Sequence, residues 1–238
     1  MNIYHYIIIG LFVAFALVDL VHRARKFPEM RYWRLFGVLA MIAYFTMATY
    51  APFLWDEALG AHRLFDLTAW PFLAQLALGF FVMEAGTYAW HRTMHAVTPI
   101  WRFHQTHHSV ERVDIWSAFY FHPLDMAGWA LLGSLCLVWI VGLTPEATLV
   151  VSVAATFCAM FQHSNIRTPR WLGYIITRPE SHSVHHQRGV HGFNYGDVPW
   201  FDMLFGTFRN PDKFEGEVGF YEGGSRRFWT LLTARAIE

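Results

Sequence analysis

Charge is scarce in this chain. Only 15% of its 238 residues are Asp, Glu, Lys or Arg, and acids and bases balance at 18 each. Soluble domains carry about a quarter. A zero balance without a basic stripe excludes a nucleic-acid footprint, so no nucleic-acid partner is expected. Cysteine is nearly absent: Cys136 and Cys158 lie in apolar text, which excludes a disulfide framework and reads as small buried hydrophobes. The apolar N-terminal segment lacks a basic leader and a small-residue cleavage site, so a retained first membrane helix is expected rather than a signal peptide. There are no internal repeats or low-complexity linkers, and one membrane domain over residues 1–238 is expected.

Apolar residues are abundant, at 55%. They gather into Ile3–Val21, Leu35–Leu54, Trp70–Trp90, Met126–Val141 and Ala147–Phe161. A spanning helix needs about 20 such residues. The last two runs are short, and read either as tilted spans or as a hairpin that does not fully cross. The expectation is an all-α integral membrane helical bundle of four or five segments. Arg23, Arg25, Lys26, Arg31 and Arg34 separate the first two segments and place that loop in the cytoplasm. Counting spans from there puts the ends of the third and fifth segments on the same side, beneath a cytoplasmic His-rich helical cap.

Histidine is clustered. His91-Arg-Thr-Met-His95, His104-Gln-Thr-His107-His108 and His182-Ser-Val-His185-His186 hold eight of the fourteen histidines. Fewer than about 0.1 HxxHH triplets are expected by accident in such a chain, and it has two. Spacings of 0, 3 and 4 put the rings on one helical face. Eight imidazoles exceed the needs of one tetrahedral ion and suit two metals, with Zn, Cu, Fe and Ni all open on ligand type. Pro99 helps end the helix that carries the first box. His163 is a candidate ninth ligand. His122 is either a ligand or a helix-start hydrogen bonder. Glu84 lies within about 20° of the line through His91 and His95. It reads as a carboxylate accepting a ring N–H from a ligand His, or as a Glu in a polar bundle interior. Trp90, Trp101, Trp116 and Trp200 line a lipid path or form an interfacial belt.

The boxes, with His122-Pro-Leu-Asp125, His163-Ser-Asn165, Asn194-Tyr-Gly196 and Phe205-Gly-Thr207, resemble the fatty acid hydroxylase / sterol desaturase superfamily over residues 84–208. The chain departs from that pattern at Asp125, where Glu is usual, and at Tyr120. The resemblance implies a catalytic region over 84–208, with two iron ions held by the eight box histidines and His163. Glu84 and Asn194 are its catalytic candidates. It implies O₂ as co-substrate, an electron-transfer protein or reductase as external electron donor, and a membrane lipid as substrate. It also implies an integral protein of a bacterial inner membrane. Hydroxylation of a fatty acyl, sterol or related lipid is the favoured activity. A desaturase of the same superfamily and a zinc-dependent membrane hydrolase remain alternatives, and a metal transporter or sensor is a further class.

Overall fold

A computed structural model describes residues 3–237, and among these no strand forms. Five helices are long and apolar enough to cross a membrane. They are α1 (Ile3–Val21), α2 (Trp33–Tyr50, continued by a 3₁₀ turn over Ala51–Leu54), α4 (Phe72–Ala96), α6 (Pro123–Ser134, continued by a π-helical turn over Leu135–Ile140) and α7 (Pro145–His163). A short α3 (Asp56–Ala61) lies between the second and third. The last two spans have 18 and 19 residues, long enough and apolar enough to cross. The sequence boundaries ran short because Pro123 and Asp125 look like loop text. Proline in the first turn instead starts a helix, since its missing N–H has no partner there anyway. His122 caps α6 and Thr144 caps α7 through their side chains.

Only 6% of the second span is buried, and Leu39, Phe53, Leu54 and Leu73 stand exposed on the outside of the bundle. A soluble protein would cover such a surface; a bilayer does so here. Inside, α4 packs on α7 and on α5 (Thr98–His108), while α1 lies along α7 and α2 along α6. The cap adds α5, α8 (Pro179–His185), α9 (Trp200–Leu204) and α10 (Phe228–Leu232). Pro99 sits in the first turn of α5 and opens that helix; it does not end α4, which stops at Ala96 when Val97 turns extended.

One buried acid fastens the spans to the cap. Asp19, at the end of α1, accepts the Asn165 N–H and the Ile115 N–H, each at 2.8 Å. Asn165 in turn clasps the backbone of Arg25 at both its N–H and its carbonyl. Asp19→Ala leaves two buried N–H groups without acceptors, at about 1–3 kcal/mol each. Thermal unfolding in detergent should show a midpoint lowered by several degrees, with Asp19→Asn milder because an acceptor remains.

Candidate metal centre

The box histidines meet. The ligand atoms of His91, His95, His104, His108 and His185 all lie within 4.8 Å of one another, and so do those of His107, His163, His182 and His186. Two donors on opposite sides of one ion, at bonds of about 2.1 Å, are about 4.2 Å apart, so each set is within about 0.6 Å of the span of a single coordination sphere. The sets adjoin: the ring of His108 stacks on that of His186 at 4.3 Å and 18°. The single face expected for each HxxHH box is therefore divided. On α5, His104 and His108 join the first set and His107 the second; on α8, His182 and His186 join the second and His185 the first. Positions i and i+4 share a direction, whereas adjacent residues diverge by about 100°. Each His-His pair thus contributes one ring to each set.

Hydrogen bonds fix which nitrogen faces inward in five of the nine rings. His91, His95 and His185 donate Nδ1–H to the carbonyls of Tyr195, His191 and Phe193 at 2.7–2.8 Å. His104 donates to Asp125 Oδ2 at 2.8 Å, with both side chains essentially sealed from solvent. His163 donates to the Ala159 carbonyl. In all five rings Nε2 is then a bare lone pair. Yet the bare Nε2 atoms of His91 and His104 face each other at 3.1 Å, and the bare Nε2 of His163 lies 3.1 Å from the Nε2 atoms of both His107 and His182. Converging lone pairs repel unless a cation lies among them. The donor set fits a pair of nitrogen-liking metal ions.

The three carbonyls come from alternate residues of one loop. That loop holds His191, Phe193 and Asn194 at φ of 40°, 68° and 45°. Such left-handed backbone is costly outside glycine and persists where the surroundings enforce it. Here Asp202 accepts the N–H groups of Tyr195 and Gly196, and Asn194 ties Ser181 to Arg209.

The fatty acid hydroxylase profile matches residues 76–207, more than half the chain, and that stretch holds all nine histidines. The protein belongs to the fatty acid hydroxylase family. This family member is 34% identical over 164 residues to the ornithine lipid hydroxylase OlsE of Rhizobium tropici, an alignment covering 66% of this chain and 49% of that protein. It is 24% identical over 156 residues to a Delta(7)-sterol-C5(6)-desaturase of Nicotiana tabacum, covering 63% and 55%. It is 29% identical over 167 residues to the alkylglycerol monooxygenase of Homo sapiens, covering 66% and 34%. The chain thus spans about half, or less, of the length of these curated relatives. No solved structure matches it significantly.

Several expected site residues of this fatty acid hydroxylase family member lie elsewhere. His122 is no ligand: Nδ1 accepts the Leu124 N–H and Nε2 donates to the Leu232 carbonyl, so both nitrogens are engaged. Glu84 is fully buried, but its carboxylate accepts the Val198 N–H at 3.1 Å rather than a ring N–H. The acid that holds a box imidazole is Asp125, on a different helix. Asn194 faces backbone, not the imidazoles, and its contribution is to shape the carbonyl loop. His191 lies beside the first set, its Nδ1 at 3.1 Å from that of His108.

An apolar cavity of about 380 Å³ ends on His107, His163 and His182, with Gln162 and Asp197 at its wall. Burial pushes the Asp197 carboxyl up to about 7, against the opposing pull of a hydrogen bond from Gln162. None of Trp90, Trp101, Trp116 and Trp200 lines this cavity; Trp129 does.

Burial, reinforced by neighbouring rings, pushes the imidazoles of His107, His108, His182, His185 and His186 well below their usual range, and brings His191 to about 4. These rings are neutral when folded and protonate near pH ~6.5 when unfolded. The unfolded chain therefore binds more protons below about pH 6.5, and stability falls as pH drops through that window. Chelator-treated protein should show a level Tm above about pH 7 and a steady decline from about pH 6.5 toward 4. A Tm that rises on acidification would contradict this.

Proposed function

We propose that this protein is an iron-dependent oxygenase that hydroxylates a membrane lipid, with one iron in each imidazole set. The observation that carries the reading is the convergence of ring nitrogens in two adjoining sets, with the Nε2 lone pairs of His91, His104 and His163 bare, at the buried end of an apolar cavity. When bound, a pair of irons supplies the reduction of O₂ that breaking an unactivated C–H bond requires, with electrons from an external donor protein. One oxygen atom enters the lipid; the other leaves as water, with two electrons and two protons taken up.

The chain's own residues set the stage for that chemistry. The carbonyls of His191, Phe193 and Tyr195, together with Asp125, hold four imidazoles in the tautomer that presents Nε2. Phe121, stacked on His107 at 4.3 Å, and Trp129 give the cavity an apolar wall beside the nitrogen donors. A lipid enters such a cavity from the bilayer and displaces water from it. The basic residues from Arg23 to Arg34 favour the cytoplasmic side of a bacterial inner membrane for the cap, where a soluble reductase or electron-transfer protein has access. Hydroxylation is favoured over desaturation because the 34% identical relative is named a hydroxylase, whereas the sterol desaturase is 24% identical.

The test is anaerobic purification with metal analysis, then turnover under ¹⁸O₂ with membrane lipids and a chemical reductant. About two irons per chain and one labelled oxygen in a lipid product are expected. Oxygen-independent turnover, or a lipid two hydrogens lighter and without label, would overturn hydroxylation.

A further inference from the structure

The cavity that ends on the imidazoles is a tunnel with a direction. Along α7 its wall runs from Gln162 back to Leu149, about 20 Å of helix rise. Along α6 it runs from Trp129 out to Leu137, and along α4 from His91 back to Met83. The remote end is formed by Tyr4 and His5 at the start of α1 and Thr49 at the end of α2. Each of these positions lies at the end of its helix away from the cap.

The two ends differ. At the imidazoles the wall is shut, with His107, His163, His182, Thr87, Gln162 and Ala118 all buried. At the remote end Leu149 and Ser152 are exposed, and Tyr4, His5 and Thr49 are only half-buried. The mouth gathers Tyr4, His5, Thr49 and Ser152, and the middle is lined by Phe45, Met83 and Leu137 with the hydroxyls of Ser134 and Thr156 among them. The wall is mostly apolar along about 20 Å of helix, which suits an extended acyl chain.

We propose that the substrate is a linear acyl lipid that enters this tunnel tail first. Its polar end stays at the mouth, among Tyr4, His5, Thr49 and Ser152, on the membrane face opposite the cap. Its methyl end reaches the imidazoles, so that oxidation falls near the methyl terminus and far from the headgroup. The inference rests on the lipid oxygenase reading for its chemistry, and on the shape of the cavity alone for its direction.

Palmitic acid carrying a photoreactive diazirine beside either its methyl end or its carboxyl tests the direction without turnover. The methyl-end probe should label the Ala118–Phe121 segment or Gln162. The carboxyl-end probe should label Tyr4–Ile8 or Leu149–Ser152. A reversed pattern, or labelling confined to the outer surface, overturns the proposal. Gly133→Leu provides a second measurement: Gly133 lines the tunnel, and a Cβ there meets nothing within 4 Å, so the new side chain grows into the bore. Methyl-end labelling near the imidazoles should fall about tenfold or more, with iron content unchanged; undiminished labelling overturns the tunnel as the route. The two readings fail separately. A product oxidised beside or within its headgroup sinks the direction and leaves the oxygenase standing. Ordered labelling with no oxygen transferred to any lipid sinks the oxygenase and leaves the direction standing.

Discussion

His107→Ala and His185→Ala, made separately, should each abolish product formation, and they should lose metal unequally. The two residues occupy the same position in their boxes, i+3 of an HxxHH, yet they belong to different sets. Removing His185 leaves four imidazoles in the first set; removing His107 leaves three in the second. The first set also keeps ring orientations fixed by the Asp125 carboxylate and the 191–195 carbonyls, whereas in the second only His163 has its Nδ1–H engaged by an acceptor of this kind. Loss of an outer hydrogen-bonding partner alone typically costs 10–100-fold in affinity or activity, and loss of a ligand should cost about a hundredfold or more. Iron per chain, measured after gel filtration, should fall from about two to about one in His107→Ala and stay nearer two in His185→Ala. Rates should collapse in both: in His107→Ala because a single remaining ion cannot share the electron load, and in His185→Ala because the first set loses one of the five donors that place its ion. Unchanged iron and unchanged turnover in His107→Ala would remove the second ion from the account. A thermal unfolding scan of each variant separates metal loss from misfolding.

The clustering of these histidines was legible in the sequence because composition makes such tight spacing of a rare residue improbable by accident. Their division between two sets was not. A helical face treats i+3 and i+4 as neighbours, but an ion about 2 Å from a ring nitrogen distinguishes directions that differ by 100°. The partners of the outer nitrogens were less visible still. Tyr195 lies 104 residues from His91, and His191 lies 96 residues from His95. Nothing local to α4 announces them, and the one hint was an Asn, tolerant of left-handed backbone, within that loop. Glu84 misled because alignment on a helix face says where a side chain points, not which neighbour meets it. The loop at Val198 reaches it before any imidazole does. His122 was ambiguous for a similar reason: His before Pro at a helix start serves equally as cap or ligand, and only the position of Leu232 decided.

Asp125→Asn should weaken iron retention about 10–100-fold while leaving the fold intact. Asp125 Oδ2 takes the Nδ1–H of His104 at 2.8 Å, in a place with no water access to either group. The carboxylate does two things there. It fixes the tautomer that leaves Nε2 bare toward His91, and its charge makes that nitrogen a stronger donor. Asparagine has the same shape and still offers one oxygen, so packing around α5 and α6 is preserved. It loses the charge, and its amide nitrogen turned toward His104 would demand the opposite tautomer, with a proton on the nitrogen that has to face the ion. A residue that only braces the α5–α6 contact would show the reverse pattern under substitution: a lowered Tm with iron held as tightly as before. The discriminating measurement is therefore the rate of iron loss to a chelator, followed alongside the unfolding midpoint in the wild type, Asp125→Asn and Asp125→Glu. Glu restores the charge with one more methylene and should recover most of the retention. If Asn and wild type release iron at the same rate, the carboxylate is a packing group, and the orientation of His104 rests on the walls around it.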